Sequence, residues 1–178
     1  MKAVLRGERH RFGDLVGRYV HRAHGIALTL VGNMPDAMDM VQEAFLKSLR
    51  AIETFDTTQR FFPWFYRILK NSCLSHIKRR RRLRKISLTS KHEDEPDIEL
   101  PDLTFNPSAL AVRDEIRERF WWAFGTLKTS DREILSLRHF QEMAYEEIAR
   151  ILEIPIGTVM SRLFHARRKL REKMERYL

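Results

Sequence analysis

Apolar positions recur at helical spacing along most of this chain. Residues from about 10 to 32 set Phe12, Leu15, Val16, Tyr19, Val20 and Ala23 on one side, and the trend continues through Ile26, Leu28 and Leu30. Gly32-Asn33 supplies a stop and Pro35-Asp36 a new start. The second helix, from Asp36, carries the apolar stripe Ala37, Val41, Ala44, Phe45, Leu49 and Ile52. An aromatic-rich loop, Phe55 to Pro63, leads to a third helix from Trp64, with Phe65, Ile68, Leu69, Ser72 and either Leu74 or Ile77 turned inward. The period then fails: Lys91 to Pro107 is acidic and broken by proline, the composition of a tether rather than a core. After Ser108 it resumes, with Leu110, Ile116, Phe120 and Ala123 as a packing face. Ser130 and Glu133 have capping-box spacing ahead of Ile134, Leu135, Leu137 and Phe140.

The last periodic stretch is the most informative. Ile148, Ala149 and Leu152 mark a short helix. Pro155 then ends one helix and opens another, because a proline in the first turn loses no hydrogen bond. Val159, Leu163, Ala166 and Leu170 form the buried side of that second helix. Gly157, Thr158, Ser161, Phe164, His165 and Arg168 lie opposite. Two short helices across a tight break, the second with a polar and basic outer face, match the helix-turn-helix, whose second helix enters the DNA major groove. An ordinary helical hairpin has the same periodicity.

Composition favours the DNA-binding reading without deciding it. The chain has 178 residues, 33 Lys and Arg against 24 Asp and Glu, and a net charge of +9. That balance suits a polyanionic partner, although a basic surface also serves solubility or an acidic membrane. A single cysteine, Cys73, excludes an internal disulfide and a cysteine-cluster zinc site, and its neighbours suggest a small buried hydrophobe. No apolar run suits a secretory signal or a membrane span, so a soluble, cytoplasmic protein with no membrane insertion is expected. The expected fold is all-α: two small helical domains, 1–85 and 109–178, joined by an acidic flexible linker at 86–108, the second ending in the helix-turn-helix.

Two further features carry chemistry. Trp64, Arg67, Asn71 and Ser75 stand at i, i+3, i+7 and i+11 on one helix face. Aromatic and guanidinium planes stack on unpaired bases, and amide and hydroxyl groups bond base edges or phosphates. An aromatic stripe at this spacing also serves as core. Downstream, Lys78 to Lys85 holds seven basic residues in eight, Arg79 and Arg80 among them. Phosphate contact explains such a run better than favourable placement at a helix end. Asp36 and Asp39 complement a helix dipole or form an acidic docking face. The seven histidines are scattered and there is no nucleotide-binding glycine loop, so no catalytic constellation, metal or cofactor is expected.

Both halves resemble one family, the extracytoplasmic-function (ECF) sigma factors of bacterial RNA polymerase. Asp36-Ala-Met-Asp-Met-Val-Gln-Glu-Ala-Phe-Leu46 and Phe62-Pro-Trp-Phe-Tyr-Arg-Ile-Leu-Lys-Asn71 look like its polymerase-binding and promoter-melting helices. Leu127-Lys-Thr-Ser-Asp-Arg-Glu-Ile-Leu135, Tyr145-Glu-Glu-Ile-Ala149 and Pro155 to Arg167 look like its minus-thirty-five domain. The resemblance implies that Asp36, Asp39, Gln42, Glu43 and Leu46 dock on core RNA polymerase. It implies that the Phe55–Pro63 loop, with Phe61 and Phe62, holds a flipped minus-ten base. Trp64, Arg67, Asn71 and Ser75 would then contact the melted non-template strand. On duplex promoter DNA, Met160, Ser161, Phe164 and His165 would meet base edges, and Arg162, Arg167 and Arg168 phosphates. An anti-sigma factor clamping both lobes is the family habit. Three positions depart from the pattern: Met160 where Lys or Arg is common, His165 where Arg is common, and Glu153 in a turn where Gly is common. A stand-alone helix-turn-helix regulator and a basic helical RNA-binding protein are the rival readings, with an enzyme ranked last.

Overall fold

The structure, a computed structural model, describes residues 2–5, 8–87 and 111–176. Every regular element among them is helical. A short α1 (Lys2–Leu5) and a 3-10 turn (Arg9–Arg11) precede α2 (Phe12–Val31), α3 (Met34–Arg50), a second 3-10 turn (Ile52–Thr54) and α4 (Phe61–Ser87). The second half comprises α5 (Ala111–Gly125), α6 (Thr129–Leu135), a π-helical turn (Ser136–Phe140), α7 (Tyr145–Leu152) and α8 (Ile156–Glu175). The expected acidic linker and Leu110 lie outside the described residues.

In the first lobe α2, α3 and α4 pack on one another around Phe45, Phe65, Leu69 and Cys73. Full burial of a side chain such as Phe65 stabilises by roughly 1.5–3 kcal/mol. The Phe45 and Phe65 rings stack at 4.4 Å. Cys73 is fully buried, and loss of solvation pushes its thiol up to about 12, so it acts as a small apolar side chain. Between α2 and α3 the chain turns on Gly32, whose φ of 91° suits a residue without Cβ. Its N–H closes on Leu28 O at 2.8 Å. The Asn33 side chain then caps α3, accepting from the Asp36 N–H at 2.9 Å. α3 therefore begins at Met34, two residues before the expected Asp36.

In the second lobe α8 packs against α5, α6 and α7 through Val159, Leu163 and Ala166, all essentially buried. These are the positions read from the sequence. Ile148 and Ile151 support them from α7. The Lys169 ammonium also ties α8 to Asp131 of α6 at 2.7 Å.

Four local expectations are corrected. Phe61 and Phe62 lie in the first turn of α4 rather than in a loop; Pro63, which needs no amide partner there, lets the helix begin early. α4 continues to Ser87, past the basic run ending at Lys85 where the helix was expected to stop. Ser130 does not cap α6: the helix starts at Thr129 after Lys128, with no side-chain cap, and Glu133 turns to the other lobe. Ile116 is 55% exposed and Phe140 40%, because α5 packs through Phe120, Ala123 and Phe124 farther along, and Phe140 only borders that ring cluster.

The two lobes touch. α2 meets α6 and the π-helical turn, and α4 meets α7. The π-turn carries Ser136 to Thr29 of α2, their hydroxyls 3.1 Å apart and buried. Arg132 donates to Leu30 O at 3.2 Å, and burial foremost, then Arg81, lowers its guanidinium to about 10.

Candidate nucleic-acid and polymerase interface

The first candidate face runs along α4. Arg67, Asn71 and Ser75 are exposed in a row, and Trp64 is half-buried at its head. The Trp64 indole leans on Phe55 and Phe61, with centroids 5.1 and 5.8 Å away. One edge is thereby fixed and the other left to solvent, a rigid platform suited to stacking. Phe61 and Phe62 are each 6% exposed. They pack on Tyr19, and the Arg22 guanidinium lies 4.3 Å above the Phe62 ring. Burial foremost lowers the Arg22 pKa. Farther along α4, Lys78, Arg79, Arg81 and Arg82 are exposed. Arg80 instead reaches Asp36 at 3.0 Å.

That contact divides the acidic set on α3. Asp36 is held within the fold by Asn33 at 2.8 Å and by Arg80, with His76 Nε2 at 3.0 Å but off the line of a well-formed hydrogen bond. Burial alone would raise its pKa; the Asn33 hydrogen bond, then His76 and Arg80, outweigh it, and the carboxyl is held below its usual range. Glu43 pairs with Lys47 on the same helix at 2.5 Å. Asp39, Gln42 and Leu46 are exposed. Two residues that sequence reasoning passed over share this surface: Met34 and Met38 are 48% and 53% exposed. With Gln42 and Leu46 they form an i, i+4, i+8, i+12 row, a periodicity that the core does not use.

The second candidate face is on α8. Met160, Ser161, Arg162, Phe164, His165, Arg167 and Arg168 are all exposed. The Ser161 hydroxyl donates to Thr158 O at 3.1 Å. Phe164 and His165 meet edge to face at 5.5 Å. Arg167 Nε donates to His139 Nε2 at 3.3 Å, and Arg168 lies 3.6 Å from Glu172. Burial foremost, then Arg167 and Arg138, lowers the His139 pKa, which suits its role as acceptor. The helix thus presents apolar, hydroxyl and imidazole groups flanked by guanidinium, as a major groove requires.

A third feature joins the lobes. Glu133 is 8% exposed and accepts from the Tyr66 hydroxyl at 2.5 Å while Lys70 approaches at 2.7 Å. Burial, then Glu133, raises Tyr66 well above the ordinary phenol value. Arg67 pairs with Glu153, and Arg60 lies 3.8 Å from Glu147. A cavity of about 290 Å³ remains in the seam, bounded by Tyr19, Arg22, Phe61 and Phe62 on one side and Glu147 and Arg150 on the other. Among the described residues no cluster of His, Cys, Asp or Glu could hold a metal ion.

Residues 15–83 match the Sigma-70 region 2 family and residues 117–170 the Sigma-70 region 4 family. The chain is 33% identical to the RNA polymerase sigma-H factor of Pseudomonas aeruginosa over 98% of its length and 92% of that protein. It is 31% identical to the ECF RNA polymerase sigma-E factor of Escherichia coli K12, with the same coverage. Its fold is similar to that of the sigma factor RpoE of Bartonella quintana, solved with the anti-sigma factor NepR: TM-score 0.64, 24% identity, 94% of this chain and 98% of that one. CnrH, solved with the cytosolic domain of CnrY, gives a TM-score of 0.63 at 23% identity, over 96% of this chain and 91% of that one. The α4 row, the α3 surface and the outward residues of α8 from Met160 to Arg168 thus lie within the two matched regions, and the chain belongs to the extracytoplasmic-function group of the sigma-70 family, the factors that bind core RNA polymerase and direct it to promoters.

Proposed function

We propose that the chain divides this role among three surfaces. Asp39, Gln42, Glu43 and Leu46, with Met34 and Met38 beside them, dock on core polymerase. Asp36 orders that helix from within. Met160, Ser161, Phe164 and His165 read the minus-thirty-five duplex, while Arg162, Arg167 and Arg168 hold its phosphates. Trp64, Arg67, Asn71 and Ser75 receive the unpaired non-template strand, the Phe61–Phe62 region takes a flipped base, and Arg79 with its basic neighbours follows the backbone. Arg80 joins them once it releases Asp36.

Unstacking a base costs a few kcal/mol, and stacking on an aromatic side chain recovers about 1–3 kcal/mol per base. A row of contacts made only with separated strands therefore couples binding to opening. The work is non-enzymatic, as for sigma factors in general, and no cofactor enters it. No helix among the described residues is long and apolar enough to cross a membrane. We place the protein beside polymerase in the cytoplasm, with an anti-sigma factor gripping both lobes as its regulator.

The observation that carries this reading is the exposed polar row of α4 in the same chain as the exposed face of α8. A stand-alone regulator has a use for α8 but none for that row. The test is transcription by purified core polymerase with the protein added, over a library of promoter fragments. Defined start sites that depend on the protein are expected; absence of stimulation on every fragment would overturn the reading.

A further inference from the structure

None of Trp64, Arg67, Asn71 and Ser75 lines the cavity of about 290 Å³ in the seam. α2 gives it Tyr19 and Arg22. The chain entering α4 gives Arg60, Phe61, Phe62 and Pro63, and α7 gives Glu147, Arg150 and Ile151. Its size is close to the lower end of the range for small-ligand cavities, about 300–1,000 Å³. That is room for one small molecule and not for a run of strand.

Three guanidinium groups border this space. Arg22 is half-buried, lies 4.3 Å over the Phe62 ring, and has no hydrogen-bond acceptor among the described residues. Arg150 is exposed and has neither an acceptor nor an ion-pair partner among them. Arg60 has only Glu147, at 3.8 Å. Glu147 is the one carboxylate of the lining, and its other oxygen accepts from the Ala144 N–H at 3.2 Å at the start of α7. Three cations against one carboxylate leave an excess of positive charge around the cavity. A partly buried guanidinium without an acceptor has lost water that no protein group replaces, and an anion with several oxygens would replace it. α4 adds to the attraction: its first residues line the cavity, and its first turn holds no acidic side chain to offset the positive end of the helix.

The remaining lining is apolar. The Tyr19 ring lies 5.4 Å from both Phe61 and Phe62, and Pro63 and Ile151 complete the wall. Guanidinium groups beside aromatic and apolar surface fit a phosphate joined to a planar ring.

We propose that this cavity binds a free nucleotide, a nucleoside carrying one or two phosphates, with Arg22, Arg60 and Arg150 on the phosphates and the base against Tyr19 and its apolar neighbours. Both lobes contribute to the site, so the ligand bridges them and its binding stabilises their contact. The proposal goes beyond the promoter-reading roles given above and does not depend on them.

The full chain is titrated by calorimetry at ~0.1 M salt with ADP, pyrophosphate and adenosine as probes. ADP is expected to bind one to one, pyrophosphate at least about tenfold more weakly, and adenosine without saturation. Arg22→Ala and Arg150→Ala should each weaken ADP binding about tenfold. Arg50→Ala removes the same charge from an exposed position outside the cavity and should leave ADP affinity unchanged. Arg22→Ala also gives up the contact with Phe62, whereas Arg150 has no partner to lose; if circular dichroism shows the first variant unfolded, the second decides. No saturable ADP binding by wild type overturns the proposal. So does unchanged affinity in Arg150→Ala, or an equal loss in Arg50→Ala, which is what diffuse attraction to a basic chain would give. Pyrophosphate binding as tightly as ADP overturns it too, because the base would then have no place. A last arm separates a free nucleotide from one within DNA. A fluorescein-labelled mixed-sequence strand of about 20 nucleotides, followed by anisotropy, is expected to bind Arg150→Ala and Arg50→Ala alike. Strand affinity that falls in step with ADP affinity would assign the cavity to the path of the DNA and overturn the proposal.

Discussion

Asp36 shows how one side chain can carry a local and a longer-range duty. Its amide is capped by Asn33 and its carboxylate meets Asn33, His76 and Arg80. The sequence showed an acidic first turn and left open whether Asp36 served the helix dipole or a partner; the structure ties its carboxylate into the first lobe. Its folded pKa is depressed below 3.8, so the stability it contributes is present above that value and disappears as pH falls through the lower folded value. Asp36→Asn is expected to cost about 1 kcal/mol at neutral pH, after discounting for partial exposure. The gap from wild type in urea unfolding should close below the usual carboxylate range; a gap that persists unchanged in acid would contradict the ion cluster. Glu133 teaches the converse. Ser130 and Glu133 have capping-box spacing, but α6 takes no side-chain cap and Glu133 is drawn to Tyr66 and Lys70, partners more than sixty residues away in sequence. Nothing local distinguishes a carboxylate that caps a helix from one that crosses a seam.

At the scale of elements, what was legible was what period and backbone chemistry dictate. Val159, Leu163 and Ala166 are buried as their spacing requires, and the Gly32-Asn33 pair ends one helix and starts the next. Boundaries shifted where aromatic packing prevailed, as when Phe61 and Phe62 joined α4 to pack on Tyr19. Gly32→Ala would force a Cβ into a φ of 91° and is expected to lower stability by about 1 kcal/mol, read as a lower thermal midpoint with unchanged helical circular dichroism. Leu163→Ala removes a fully buried anchor of α8 and should cost about 2–5 kcal/mol in the second lobe. For α8 as a DNA-reading element the prediction is electrostatic. Arg162→Ala and Arg168→Ala in holoenzyme should each weaken duplex binding on every sequence and reduce the salt slope by about 1. Phe164→Ala should instead change preference among sequences with the slope intact. A Phe164→Ala loss shared equally by all sequences would remove that residue from base reading.

For the whole molecule, the two-lobe division was legible from the acidic interruption and the return of helical period. The seam was not, because it depends on where separate helices place their side chains rather than on any run of residues. The α8 face is open, and of the α4 row only Arg67 pairs with the second lobe, through Glu153. It is at α4 that the account stands or falls. The direct measurement is permanganate reactivity of unpaired thymines on a responsive promoter, with holoenzymes carrying wild type, Trp64→Ala or Asn71→Ala, alongside their affinity for core polymerase. The account predicts equal core binding for all three and thymine reactivity at least about tenfold lower in the two variants. Variants that open the promoter as wild type does, or that lose core binding while folded, would contradict it.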